Sequence, residues 1–164
     1  MKLFRPRLKQ PRELRELIAE RFWPATHEDA IQQNLTKRIS VDSVHELIST
    51  EDEIFLYPDP SMTLASEHER SRARIGDTEF FEAYDQTLNQ IDPEQALFVA
   101  DFGHGSDAPI ALDYRGDRND PPVIGLKWDD SRLVGGDHQW VRLTGSFSEF
   151  VRILGLRQLP KFKR

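Results

Sequence analysis

Residues 96–128, ALFVADFGHGSDAPIALDYRGDRNDPPVIGLKW, decide the fold class, because three apolar runs alternate there with two polar loops. Leu97-Phe98-Val99-Ala100 is apolar on both alternating faces, the mark of a central strand covered on one side by helices and on the other by side chains. Its neighbours are one-sided. Ile110, Leu112 and Tyr114 point away from Ala111 and Asp113, while Ile124, Leu126 and Trp128 share a face opposite Lys127. This alternation predicts that Asp113 and Lys127 face each other. The loop Gly103-His104-Gly105-Ser106-Asp107 has two readings: a hairpin turn in which glycine supplies positive φ without steric cost, or a reactive histidine between carboxylates.

Working outward, Trp140-Val141-Arg142-Leu143 reads as a fourth strand. Ser146 and Glu149 then stand at capping-box spacing before the apolar residues Phe150, Val151 and Leu154 of a last helix closed by Gly155. Upstream, Pro11 opens a helix whose stripe Leu14, Leu17, Ile18 and Phe22 ends before Pro24. Thr26 caps a second helix, with Asp29 three positions on and Ala30, Ile31 and Leu35 as the buried side. Ser40 caps a third, on which Val44, Leu47 and Ile48 share a face. Ile54-Phe55-Leu56-Tyr57 reads as a strand stopped by Pro58-Asp59-Pro60. A mostly polar helix over 63–74 belongs on the surface, and one over 78–88 buries Phe80, Phe81, Tyr84 and Leu88. Helices grouped before and after antiparallel strands predict an α+β fold, with a sheet of about four to six strands in a single domain over 1–164. Residues 161–164 read as a mobile tail.

The chain has 164 residues, enough for one real core, and no cysteine, which excludes disulfides, thiolate metal sites and cysteine nucleophiles. No apolar run approaches the roughly 20 residues of a membrane helix, and residues 1–22 lack the apolar core of a signal peptide. A cytoplasmic location is the expectation. The net charge of −6 is unevenly spread: residues 2–23 carry seven bases against three acids, and residues 114–164 carry ten against six. Between 76 and 113 stand nine carboxylates, Asp77, Glu79, Glu82, Asp85, Asp92, Glu94, Asp101, Asp107 and Asp113, without lysine or arginine. His104 is the one candidate cation there. Such a segment repels phosphate backbones, which argues against direct nucleic-acid binding, and it steers basic proteins inward. A solvated acidic face that only aids solubility is the alternative.

VADFGHGSDAPIALDYR, then PPVIGLKW, then WVRLTGSFSEFVRIL resembles the SUKH superfamily, the Smi-Knr-like proteins, whose C-terminal half runs strand, glycine turn, Leu-Asp strand, Val-bearing strand and a helix opened by Ser-Phe-x-x-Phe. The corresponding pieces here are residues 99–105, 110–114 and 123–128, and Ser146-Phe147 with Phe150. The likeness spans residues 54–154 and is strongest after Ala96; residues 57–67, YPDPSMTLASE, resemble a bacterial subset of the family. The Leu-Pro and Asn-Gly pairs that relatives carry ahead of the sheet do not occur ahead of the sheet here.

The resemblance implies a SUKH-type domain that binds a protein and catalyses nothing. Bacterial relatives are typically immunity proteins that neutralise a toxin, often a nuclease; fungal ones are regulatory adaptors. The expected partner is a basic toxin domain, met by an acidic surface of Asp77, Glu79, Glu82, Asp85, Asp101, His104, Asp107 and Asp113, with no cofactor, metal or membrane involved. The competing reading is a hydrolase or metal-dependent enzyme using Asp101, His104, Ser106, Asp107 and Asp113. Against it, the nucleophile-elbow pattern Gly-x-Ser-x-Gly is absent, and neither His27-Glu28 nor His45-Glu46 has the second histidine of a zinc-protease helix. Arg115-Gly116-Asp117 reads as a turn. Of the tryptophans, Trp128 is the candidate for burial and Trp140 for partial exposure.

Overall fold

A computed structural model describes residues 8–103, 108–129 and 132–163 as an α+β fold on one antiparallel sheet. Five strands cross it in chain order: β1 (Phe55–Leu56), β2 (Ala96–Asp101), β3 (Pro109–Asp113), β4 (Val123–Lys127) and β5 (Gln139–Thr144). Helices α1 (Arg12–Ala19), α2 (His27–Thr36) and α3 (Val41–Leu47) precede β1. Between β1 and β2 lie α4 (Leu64–Ile75) and α5 (Glu79–Thr87), and α6 (Phe147–Leu154) follows β5. No described helix is long and apolar enough to cross a membrane.

Local chemistry sets the helix starts. Thr26, Ser40, Thr63, Thr78 and Ser146 each accept a hydrogen bond from the backbone N–H three residues on, a cap that contributes about 1 kcal/mol apiece. Pro11 is itself the cap of α1, one position before the helix begins. Gly155, at φ +62°, turns the chain out of α6. Gly103, at φ +94°, has open space where a Cβ would stand, so backbone conformation alone calls for glycine there, as the turn reading expects. Residues 104–107, which include His104 and Asp107, lie outside the described residues.

Helices cover both sides of the sheet, not one. On one side Leu14, Leu17, Trp23, Val44, Phe147, Phe150 and Leu154 pack on Leu97, Val99, Ile110, Leu112 and Val123. On the other, Leu64 of α4 packs on Ala96, Phe98, Ala111 and Ile124. Trp23 is the fully buried tryptophan; its indole N–H donates to Tyr57 O at 2.9 Å, while Trp128 and Trp140 are both half-buried. A bulge at Val99 breaks the parity of β2: Phe98 pairs with Ala111 but Ala100 pairs with Ile110. Asp101, opposite Pro109, therefore shares the side of Phe98, under α4 and α5. The predicted meeting of Asp113 with Lys127 does not occur, because the register sets Lys127 against Gln139 at one end of β4 while Asp113 N–H donates to Pro122 O at the other.

The largest departure is α2, which lies with its stripe reversed. Ala30 is buried as expected, but the other buried residues are Asp29 and Gln33, and Ile31 and Leu35 are 47% and 81% exposed. Asp29 closes the capping box, accepting from the N–H groups of Ala25 at 2.8 Å and Thr26 at 3.3 Å. The Gln33 amide pairs with both backbone groups of Leu56, donating to its O at 2.6 Å and accepting from its N–H at 3.0 Å. Because Leu56 is 1% exposed, Gln33→Leu strands two buried backbone groups. Urea unfolding should show this variant destabilised by about 1–3 kcal/mol, against under about 0.5 kcal/mol for Leu35→Gln. The reverse order would mean that α2 turns its apolar stripe inward after all.

Candidate protein-binding surface

The carboxylates of residues 76–113 do not form one surface. Asp101 is 1% exposed and Asp113 8%, and the β2–β3 register places them at opposite ends of the ladder, against Pro109 and Ala96. Asp101 and Asp113 therefore cannot converge on one reacting atom. Asp101 Oδ1 accepts from Ala108 N–H at 3.4 Å. Asp113 is held in the fork of Arg115, with bonds from Nε at 2.9 Å and from Nη2 at 2.8 Å, and its Oδ1 also accepts from the Arg115 backbone N–H at 3.1 Å. Burial pushes this carboxyl up, but the side-chain and backbone bonds from Arg115, with the charges of Arg115 and Arg142, outweigh it and hold Asp113 below the usual carboxylate range.

Asp77 and Asp85 reach the surface already paired. Arg72 of α4 donates Nε to Asp77 at 2.7 Å and Nη1 to Asp85, and bonding to these two carboxylates raises the guanidinium further. Asp85 also bonds Nε2 of His68, a buried ring lying between Phe81 and Tyr84 at centroid distances of 5.6 and 4.6 Å. Burial first, then the charges of Glu67, Asp101 and Asp85, raises the Tyr84 phenol. The cation that neutralises this part of the acidic run, Arg72, thus comes from α4, upstream of it.

Glu79 and Glu82 remain open. One turn apart on the outer face of α5, both are exposed and neither has a described cationic partner. Between them in sequence, Phe80 turns to Trp128 at the end of β4, with ring centroids 5.4 Å apart, and Trp128 meets His138 edge-on at 4.6 Å. His138 fixes the β4–β5 connection: Nδ1 accepts from Asp129 N–H at 2.9 Å, and Nε2 bonds Leu133 O. Since a backbone N–H donates to Nδ1 and a carbonyl faces Nε2, this pairing requires the neutral ring protonated on Nε2. Asp129 Oδ2 accepts from Asp137 N–H at 2.9 Å, and Asp137 Oδ1 accepts from Gln139 Nε2 at 3.0 Å, so both carboxylates serve the β4–β5 connection.

The result is a half-buried aromatic pair, Phe80 and Trp128, with the exposed Glu79 and Glu82 of α5 flanking Phe80 in sequence and His138 of the β4–β5 connection packed edge-on against Trp128. Sequence reasoning reached the glutamates and missed the rest. The available signal was Trp128-Asp129 with Asp137-His138 a few positions on, an aromatic-acidic cluster split by a loop. Among the described residues no histidine and carboxylate groups gather as a metal ligand set. No protein-family model matches the chain, nor does any curated protein or solved structure.

The Arg115 fork gives a pH dependence with a definite sign. A carboxyl depressed in the folded state contributes stability that is complete above its unfolded value, near 3.9, and is lost as pH falls through the lower folded value. Asp113→Asn should therefore be less stable than the parent in urea at about pH 6, with the gap narrowing toward about pH 3. A gap that stays constant over that range would show that the charge of Asp113 is not what Arg115 holds.

Proposed function

We propose that the chain is a non-catalytic protein-binding module of the immunity type, which holds a basic toxin domain on the acidic-aromatic surface of α5 and the β4–β5 connection. The observation that carries this reading is the pair Glu79 and Glu82, exposed and without described cations, beside Phe80 and Trp128. A half-buried aromatic centre with a charged rim has the anatomy of a binding hot spot. The open carboxylates Glu79 and Glu82 accelerate encounter with a basic partner, and against a nuclease they occupy the ground where phosphates would lie. The resemblance of residues 54–154, strongest after Ala96, to SUKH proteins supports the same reading, and it asks for no group that makes or breaks a bond.

The test is binding to the toxin-like product of a neighbouring gene, measured across salt concentrations. Affinity should fall as salt rises, and the double reversal Glu79→Lys with Glu82→Lys should weaken binding by about tenfold or more, mainly through the association rate. Glu46→Lys on α3, an equal change of charge on another helix, should leave binding within about twofold. Association that ignores salt and both reversals would overturn the electrostatic reading; no association at all would overturn the toxin partner.

A further inference from the structure

A cleft of about 810 Å³ opens between α1, the β3–β4 connection and α6. Its carboxylates are already taken. Glu13 accepts from Ser148 Oγ at 2.6 Å and lies 3.8 Å from Arg157, Glu16 accepts from Arg12 Nε at 2.8 Å, and Asp120 Oδ1 accepts from Ser148 N–H at 2.9 Å. Three of its cations are not. Lys9 and Arg15 are exposed and meet no carboxylate among the described residues. Arg118 donates Nη1 to neutral oxygens, Gln95 Oε1 at 2.9 Å and Tyr114 O at 3.3 Å, and has no carboxylate partner among the described residues either. With Arg12 and Arg157, five cations of the cleft face three carboxylates, an excess of two positive charges in a chain of net charge −6.

We infer that this cleft binds a small polyanion of linked phosphate groups, with Arg118 as its principal contact. The Arg118 side chain is placed in advance of any ligand. Asp117 Oδ1 accepts from Asn119 N–H at 2.9 Å and from Asp120 N–H at 3.1 Å, which closes the connection around Arg118, and the guanidinium lies 5.4 Å over the Tyr114 ring. Anchoring through Nη1 leaves Nε and Nη2, the two atoms that Arg115 sets against Asp113, as a fork for an oxyanion. A lone carboxylate or phosphate answers one such fork. Phosphates linked in a row reach Lys9 and Arg15 as well, and a cleft of this volume has room for them. A nucleotide base gains nothing here, because Tyr114 is 2% exposed and no other aromatic side chain lines the cleft among the described residues.

Calorimetric titration of the full chain with sodium tripolyphosphate in about 50 mM salt should show saturable binding with a dissociation constant of about 100 µM or tighter. Orthophosphate should bind about tenfold more weakly or worse. Arg118→Gln should weaken tripolyphosphate binding about tenfold, and Lys9→Gln combined with Arg15→Gln by about the same factor. Arg74→Gln, which removes an exposed arginine in the last turn of α4, should leave binding within about twofold. All four side chains are exposed, so the fold tolerates these changes. The absence of saturable binding overturns the inference, as does binding that Arg118→Gln and the Lys9, Arg15 double variant leave unchanged. Equal weakening by Arg74→Gln and Arg118→Gln means an adventitious ion only and overturns it too. Orthophosphate that binds as tightly as tripolyphosphate overturns the linked-phosphate ligand.

Discussion

A five-strand meander has two open edges, and the way this chain closes them governs where its helices can go. Each edge meets a glutamine. Gln33 bonds the N–H and O of Leu56 on β1, and on β5 Gln90 donates to His138 O at 2.8 Å and accepts from Trp140 N–H at 2.8 Å. A primary amide sets an N–H donor beside a carbonyl acceptor in one plane, so along that edge it stands in for a single residue of a neighbouring strand. An unprotected edge is a template for further pairing, and these two side chains occupy it without adding a strand. Gln33 ties α2 to β1. Gln90, in the turn after α5, ties that helix to β5 and so brings Phe80 within reach of Trp128.

The first of these ties explains why α2 reads wrongly from its sequence. Its apolar period is legible, but the direction of the stripe is not: the partners of Gln33 and Asp29 are Leu56, 23 positions away, and the backbone of Ala25 and Thr26. A bond to a strand that has yet to arrive outweighs the burial of two aliphatic side chains, since leaving both Leu56 groups unpaired costs more than exposing Ile31 and Leu35. Helices without such a tie were readable throughout. In α3 and α6 the apolar stripe and the buried face coincide, and Ser40 and Ser146 mark their starts by bonds only three residues long. The strands were readable for the same reason, each obeying a period of two except where the register shifts, at the bulge of β2 and again between Val123 and Ile124 in the β4–β5 ladder.

That bulge, together with the upstream arginines, separates the acidic run as composition from the acidic run as surface. Alternation places residues correctly up to Phe98, but one extra residue at Val99 reverses the parity, and Asp101 turns under α5 where simple counting would aim it elsewhere. Pairing does the remaining sorting. Arg72 takes Asp77 and Asp85, and Arg115 takes Asp113, so a segment without lysine or arginine is partly neutralised by neighbours outside it. Glu79 and Glu82 stay open because α5 turns them outward while Phe81 and Tyr84 face in. Half of the candidate surface was therefore legible. The aromatic half depends on the contact of Phe80 with Trp128, which joins residues 48 positions apart and leaves no local signature.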